Sequence, residues 1–307
     1  MKRSTFLKSS TAAVAGMGLF ANFSTATSLY KVSSITKKSK KITILHTNDT
    51  HSHIEPIVGG RNDGRGGVAR RAALVNQIRK ENPNTLLLDC GDIFQGTPYF
   101  NFYGGELEIK LMSMMGYDAA TIGNHDFDNG IDGLYKQLPH ANFDFVISNY
   151  DFKNTIMDGH TLENKIVTLD GIKIGMFGLG IELDGLVNKT NYKETKYLDP
   201  IDIATDQARI LKKEKGCDLV ICMSHLGYSY KSDTVSDVSL AAATSNIDVI
   251  IGGHTHTFLE KPELILNKEG KNVVVNQVGC YGMYLGRIDL YLNETDINNQ
   301  AGTVYNL

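Results

Sequence analysis

Lys41-Ile42-Thr43-Ile44-Leu45 is an apolar run, and His46-Thr47-Asn48-Asp49-Thr50-His51 continues it without a break. The run reads as a buried strand, and it leads into a carboxylate and an imidazole two residues apart. Four more stretches repeat the arrangement. Thr85–Leu88 leads to Gly91-Asp92, and Ala119–Ile122 to Gly123-Asn124-His125-Asp126. Leu219–Met223 leads to Ser224-His225, and Val249–Ile251 to Gly252-Gly253-His254-Thr255-His256. In open α/β sheets, ligands gather at the C-terminal ends of strands. The five junctions therefore point to one site.

The residue types fit divalent metals with nitrogen and oxygen ligands. Asp49 and His51, and again His254 and His256, are i, i+2 pairs whose side chains share one side of an extended chain. Asp92 follows Gly91 after a run of leucines, where a lone carboxylate must be paired or metal-bound, and it is the natural bridge between two ions. Asn124 offers an amide oxygen, with His125 beside it, and His225 ends its strand in the same way. Taken singly, an Asp-x-His or a Gly-Asp turn is more often a cap or a satisfied polar group. The weight lies in five such junctions at five strand ends. Two ions about 3.5–4 Å apart form a centre suited to phosphoryl transfer.

Helical periodicity marks Val68–Lys80, Leu107–Met115, Ile131–Leu138, Ile201–Lys215 and Val238–Thr244. Phe145–Ser148, Val273–Val275 and Gly286–Leu292 read as further strands. Asp170-Gly171 between Lys165–Leu169 and Ile172–Phe177 is a hairpin signal. Strands alternate with helices first and hairpins enter later, which predicts an α/β fold with a mixed sheet or two stacked sheets covered by helices. Cys90, Cys217, Cys222 and Cys280 have no CxxC spacing and are expected to be four buried thiols, with Cys217 and Cys222 on opposite faces of one strand. The glycines around Arg61 and Arg65 lack the GxxxxGK[ST] order and read as a loop into the helix at Val68. Tyr281 and Tyr284 read as packing residues rather than as a platform for a base.

Residues 1–26 carry the marks of an export signal. Lys2, Arg3 and Lys8 precede a small apolar run from Thr11 to Phe23, too short to span a bilayer, with Ser24-Thr25-Ala26 as a cleavage site. Arg3-Ser4-Thr5-Phe6-Leu7-Lys8 is similar to a twin-arginine signal with the second arginine replaced. Residues 27–40 read as a linker and 41–307 as the catalytic domain. Periplasmic or extracellular location and no stable membrane anchor are expected. The net charge of −3 argues against a nucleic-acid groove.

The five motifs resemble the calcineurin-like metallophosphoesterases and, more narrowly, the catalytic domain of the 5′-nucleotidase family. The resemblance runs from Lys41 to about Leu292 and implies a four-layer α/β/β/α sandwich of two mixed β-sheets flanked by helices. It implies two divalent metal ions (Zn, Mn, Fe or Co). One would be held by Asp49, His51, Asp92 and His256, the other by Asp92, Asn124, His225 and His254. His125 would be the catalytic histidine, oriented by Asp128. The implied reaction is hydrolysis of a phosphate ester, a 5′-nucleotide foremost, by in-line attack of a metal-bound hydroxide. UDP-sugars and cyclic nucleotides are the alternative small-molecule substrates. The family's C-terminal nucleotide-binding domain is not expected within 41–307, so a separate chain supplying it is an expected partner.

Overall fold

Aliphatic runs between left-handed turns set the architecture. The computed structural model describes residues 40–292 and 297–307. The expected export signal at 1–26 and the expected linker at 27–40 lie outside the described residues, except Lys40, which belongs to a strand. In chain order the elements are β1 (Lys40–Thr47), α1 (Val68–Glu81), β2 (Thr85–Asp89), α2 (Pro98–Tyr103), α3 (Glu106–Met115), β3 (Ala119–Ala120), α4 (Gly130–Gln137) and β4 (Asp144–Phe145). There follow β5 (Tyr150–Asp151), β6 (Asn164–Leu169), β7 (Ile172–Leu179), α5 (Lys189–Tyr192), β8 (Lys196–Tyr197), α6 (Pro200–Arg209) and β9 (Leu219–Ser224). The chain closes with α7 (Asp237–Ala243), β10 (Val249–Ile251), β11 (Glu263–Leu266), β12 (Asn272–Asn276), β13 (Tyr284–Leu292) and β14 (Ile297–Asn306).

Two six-stranded sheets form, ordered β14-β13-β1-β2-β3-β4 and β11-β12-β10-β9-β7-β6. In the first, β1 to β4 are parallel and β13 and β14 add antiparallel strands at one side. In the second, β12, β10, β9 and β7 are parallel, with antiparallel strands β11 and β6 at the edges. Strand periodicity then sorts the side chains into layers. Ile42, Ile44, Leu86 and Leu88 from the first sheet meet Ile174, Met176, Ile221, Met223, Val249 and Ile251 from the second. The alternate residues face outward: Leu45 and Leu87 pack under Val75, Ile78, Ile109 and Met112, while Val220, Cys222 and Ile250 pack under Ala204, Ala208, Leu211 and Leu240. This is the four-layer α/β/β/α sandwich.

Local chemistry fixes the joints. Asp170 (φ 50°) and Gly171 (φ 74°) are both left-handed, as a two-residue type I′ turn needs, and Leu169 pairs with Ile172 across it. The Asp199 carboxylate caps α6 by accepting from Ile201 N (2.8 Å) and Asp202 N (3.0 Å), with Pro200 in the first turn. The last turn of that helix widens to π pairing over Ile210–Glu214.

Several expectations are corrected. Cys217 lies in the turn before β9, so it shares no strand with Cys222, and Cys280 is half-buried while the other three thiols are buried. The strand expected over Ala119–Ile122 is reduced to Ala119–Ala120, and that over Phe145–Ser148 to Asp144–Phe145 followed by a single bridge from Val146 to Leu162. Thr121 and Ile122 lead on to Asn124 at the site, while Ile147 N and Ser148 N bond to Leu162 O and Gly178 O.

Candidate metal centre

β1, β2, β3, β9 and β10 end on the same side of the sandwich, and every predicted site residue lies there. Asp49, His51 and His256 bring one ligand-capable atom each to within 4.8 Å of one another, and Asp92, His225 and His254 do the same beside them. The groups adjoin: Asp49 Oδ1 lies 3.4 Å from His256 Nε2 and 3.9 Å from both His51 Nε2 and His225 Nε2. Asp92 Oδ2 is 3.1 Å from His225 Nε2 and 3.9 Å from His51 Nε2, which puts it between the groups. Asn124 Oδ1 lies 2.9 Å from His254 Nδ1.

Hydrogen bonds on the far ring nitrogens aim the imidazoles inward. His51 Nδ1 donates to the Phe94 carbonyl (3.2 Å) and His225 Nδ1 to the Cys90 carbonyl (2.6 Å). Such outer partners fix the tautomer and free Nε2 for a metal. The Nε2 atoms of His51 and His256 face each other at 2.9 Å. His225 Nε2, fully buried, is out of line for a hydrogen bond to Asp92 and has no hydrogen-bond partner. Buried polar atoms are normally satisfied. Two facing imidazole nitrogens and one orphaned one, beside two buried carboxylates, fit a pair of divalent cations.

Electrostatics agree. Burial works against a charged His225, yet Asp92 and then Asp49 override it and raise the imidazole's pKa to about 10. The Asp49 carboxylate, then Cys280, raise His256 to about 10. Burial raises the Asp92 carboxyl's pKa, but His225 and His51 outweigh it and hold the group well below the usual carboxylate range. Burial, reinforced by His225, lowers His254 to about 4, and burial also lowers His51. The carboxylates thus favour positive charge in the centre of the site.

The backbone is shaped to let these groups converge. Asp49 (φ 49°), His51 (φ 44°), Asp92 (φ 54°), His254 (φ 75°) and His256 (φ 53°) are all left-handed. For non-glycine residues that conformation costs on the order of 1–3 kcal/mol each and collects at functional sites. The chain also comes close where side chains cannot fit. A Cβ on Gly123 would lie 2.2 Å from Asp92 Oδ1 and 2.7 Å from His225 Nε2, and one on Gly253 would lie 2.8 Å from His225 Nδ1.

His125 stands at the mouth. Its backbone N–H donates to Asp92 Oδ1 (2.7 Å), and its ring is 5.2 Å from that of His51, edge to face. Nδ1 lies 3.1 Å from the Asp128 carboxylate, a contact that raises the imidazole above its ordinary value.

The sequence profile of the calcineurin-like phosphoesterases matches residues 42–258. The chain belongs to that family. It is 34% identical over 286 residues to the snake venom 5′-nucleotidase of Crotalus adamanteus, covering 85% of this chain and 47% of that one. It is 32% identical over 284 residues to the 5′-nucleotidase of Rattus norvegicus, covering 84% of this chain and 48% of that one. Among solved structures, the 5′-nucleotidase precursor of Thermus thermophilus superposes with a TM-score of 0.80 at 31% identity, covering 87% of this chain and 55% of that one. The chain thus spans about half the length of the curated relatives it matches.

Some supports of this phosphoesterase site are not predicted from its sequence. Asp126 accepts from the backbone N–H groups of Asp92 (3.1 Å), Ile93 (2.9 Å), Phe94 (3.2 Å) and Gly123 (2.8 Å), and so ties the β2 and β3 ends together. Burial, then Asp92, raises its carboxyl to about 7. Asn48 donates to Asp49 Oδ2 (2.6 Å) and to the Gly279 carbonyl (2.7 Å), and Gln95 Nε2 reaches the His125 ring at 3.3 Å. The signals were present, since Asp126 sits inside the Gly-Asn-His-Asp stretch and Asn48 precedes Asp49. Side chains that bind backbone amides, however, carry no spacing rule. Tyr281, expected as a packing residue, packs on His53 and borders His51 and His256.

Proposed function

We propose that this protein is a metal-dependent phosphoric ester hydrolase whose foremost substrates are 5′-nucleotides. The observation that carries the reading is the pair of adjoining ligand groups, with His225 Nε2 orphaned and the His51 and His256 Nε2 atoms face to face. Asp49, His51, Asp92 and His256 would hold one divalent ion, and Asp92, Asn124, His225 and His254 the other, with Asp92 shared. When bound, such ions neutralise phosphoryl charge and lower the pKa of water toward neutrality. His125, whose imidazole the Asp128 carboxylate biases toward the protonated form, would stabilise the developing charge or donate a proton to the leaving-group oxygen. Gln95 and Asp128 hold the His125 ring over the mouth. The 5′-nucleotidase relatives support the substrate class.

The same proposal covers organisation and place. Residues 1–26 act as an export signal, 41–307 as the catalytic domain, and the protein works outside the cytoplasm. Among the described residues no helix is long and apolar enough to cross a membrane. A chain carrying a nucleoside-binding domain is the proposed partner.

The test strips the purified protein of metal, restores Zn, Mn, Fe or Co in turn, and measures phosphate release from AMP, UDP-glucose, a cyclic nucleotide and phenyl phosphate. Metal-restored turnover of AMP supports the proposal. Turnover of only the UDP-sugar or the cyclic nucleotide overturns the substrate class, and no metal-dependent turnover of any ester overturns the activity.

A further inference from the structure

Tyr281 is a bulky residue held at φ 59°, between Gly279 (φ 69°) and Gly282 (φ 63°), which adopt such angles freely. Its N–H donates to the Asp49 carbonyl (2.7 Å), a bond that glycine would make equally well without strain. The strained backbone therefore serves to keep the phenol ring where it is. That ring lies over His53 at 4.4 Å between centroids and a 34° tilt, and His53 Nδ1 is in turn anchored on the His51 carbonyl at 2.8 Å. The same ring is 5.7 Å from the ring of His51 and 5.8 Å from that of His256. Tyr281 and His53 are both partly exposed. A flat, supported, half-open aromatic face thus borders the group formed by Asp49, His51 and His256.

We infer that Tyr281, backed by His53, is a specificity-determining residue: its face stacks on the ring that the leaving group carries beside the ester oxygen, whether an aryl ring or the sugar and base of a nucleotide. The inference rests on the phosphoesterase reading and adds to it a substrate contact made by this chain's own catalytic domain. The hydroxyl is not required, since a ring face is what stacks. The ringless ester glycerol 2-phosphate has nothing to place there.

The experiment compares the wild-type protein, Tyr281→Phe and Tyr281→Gly, each with metals restored, on phenyl phosphate, AMP and glycerol 2-phosphate. Tyr281→Gly keeps the backbone bond and relieves the strain, so folding is preserved. The expected result is a loss of kcat/KM on both ring-bearing esters about tenfold greater than on glycerol 2-phosphate, carried by KM, with Tyr281→Phe close to wild type. An equal loss on all three esters would make Tyr281 a support for Asp49 and His51 and overturn the inference. No loss, or a loss in Tyr281→Phe matching that in Tyr281→Gly, would overturn it as well. A wild-type protein that cleaves none of the three defeats the phosphoesterase reading instead.

Discussion

Ile42 and Ile44 of β1 meet Ile221 of β9 and Val249 of β10 in a layer of aliphatic carbon between the sheets, all of them buried. A few residues further along the same strands stand Asp49, His225 and His254, with left-handed backbone at the first and third and an unpartnered nitrogen at the second. One end of each strand obeys every rule of a stable interior, while the other breaks several at once. Stability and chemistry are thus separated along the strand axis. Central strands, with backbone pairing on both sides and packing on both faces, can carry strain and a cluster of buried charge at one end without losing the sheet.

The comparison can be broken at either end. Asp92→Asn removes the carboxylate between the two groups and should lower kcat on the order of 10³-fold or more, with bound metal falling in parallel when both are measured on one preparation. Its urea midpoint should move little, and full activity with full metal content would refute the bridging role. His125→Ala should keep both metals and lose about 10²–10⁴-fold in turnover, read by metal analysis beside steady-state kinetics. Loss of metal would make His125 a ligand instead. Ile44→Ala tests the other end. It should cost about 2–5 kcal/mol in urea unfolding while the surviving folded protein keeps its kcat, and a large kcat loss would show that core and site are not separate. The smallest effect concerns pH. The Asp128 contact raises the His125 pKa, so the protonated form prevails below that raised value and is lost as pH climbs through it. Asp128→Asn removes the chief cause, and the alkaline fall of the kcat profile should move to lower pH.

Legibility followed the same division. Thr85–Leu88, Leu219–Met223 and Val249–Ile251 are plain in sequence because parallel strands buried on both faces must be aliphatic throughout. The edge strands β11 and β14 were not expected. Glu263–Leu266 and Ile297–Asn306 alternate poorly, because an edge strand takes its place from a partner's backbone rather than from two apolar faces. The short ribbon of β5 and β8 has too few residues to show a period. At the site, the metal-ligating types stood out because carboxylates and imidazoles recur within a few residues of the end of each of five aliphatic runs. The role of Asp126 and the aromatic face of Tyr281 were not legible. Both depend on which backbone atoms and rings approach across more than 30 residues of intervening chain.

The five left-handed residues of the centre also bear on local motion. Their conformations are held by what surrounds them rather than by preference, so removing the cations releases the strand ends first. In chelator, the amides of His51 and Ser52, bonded to Asp92 O (3.0 Å) and Ile93 O (2.8 Å), will exchange with solvent deuterium faster. Those inside β1, β2 and β9 will stay protected. The protein then opens as a hand does, at the fingertips, while the palm remains closed.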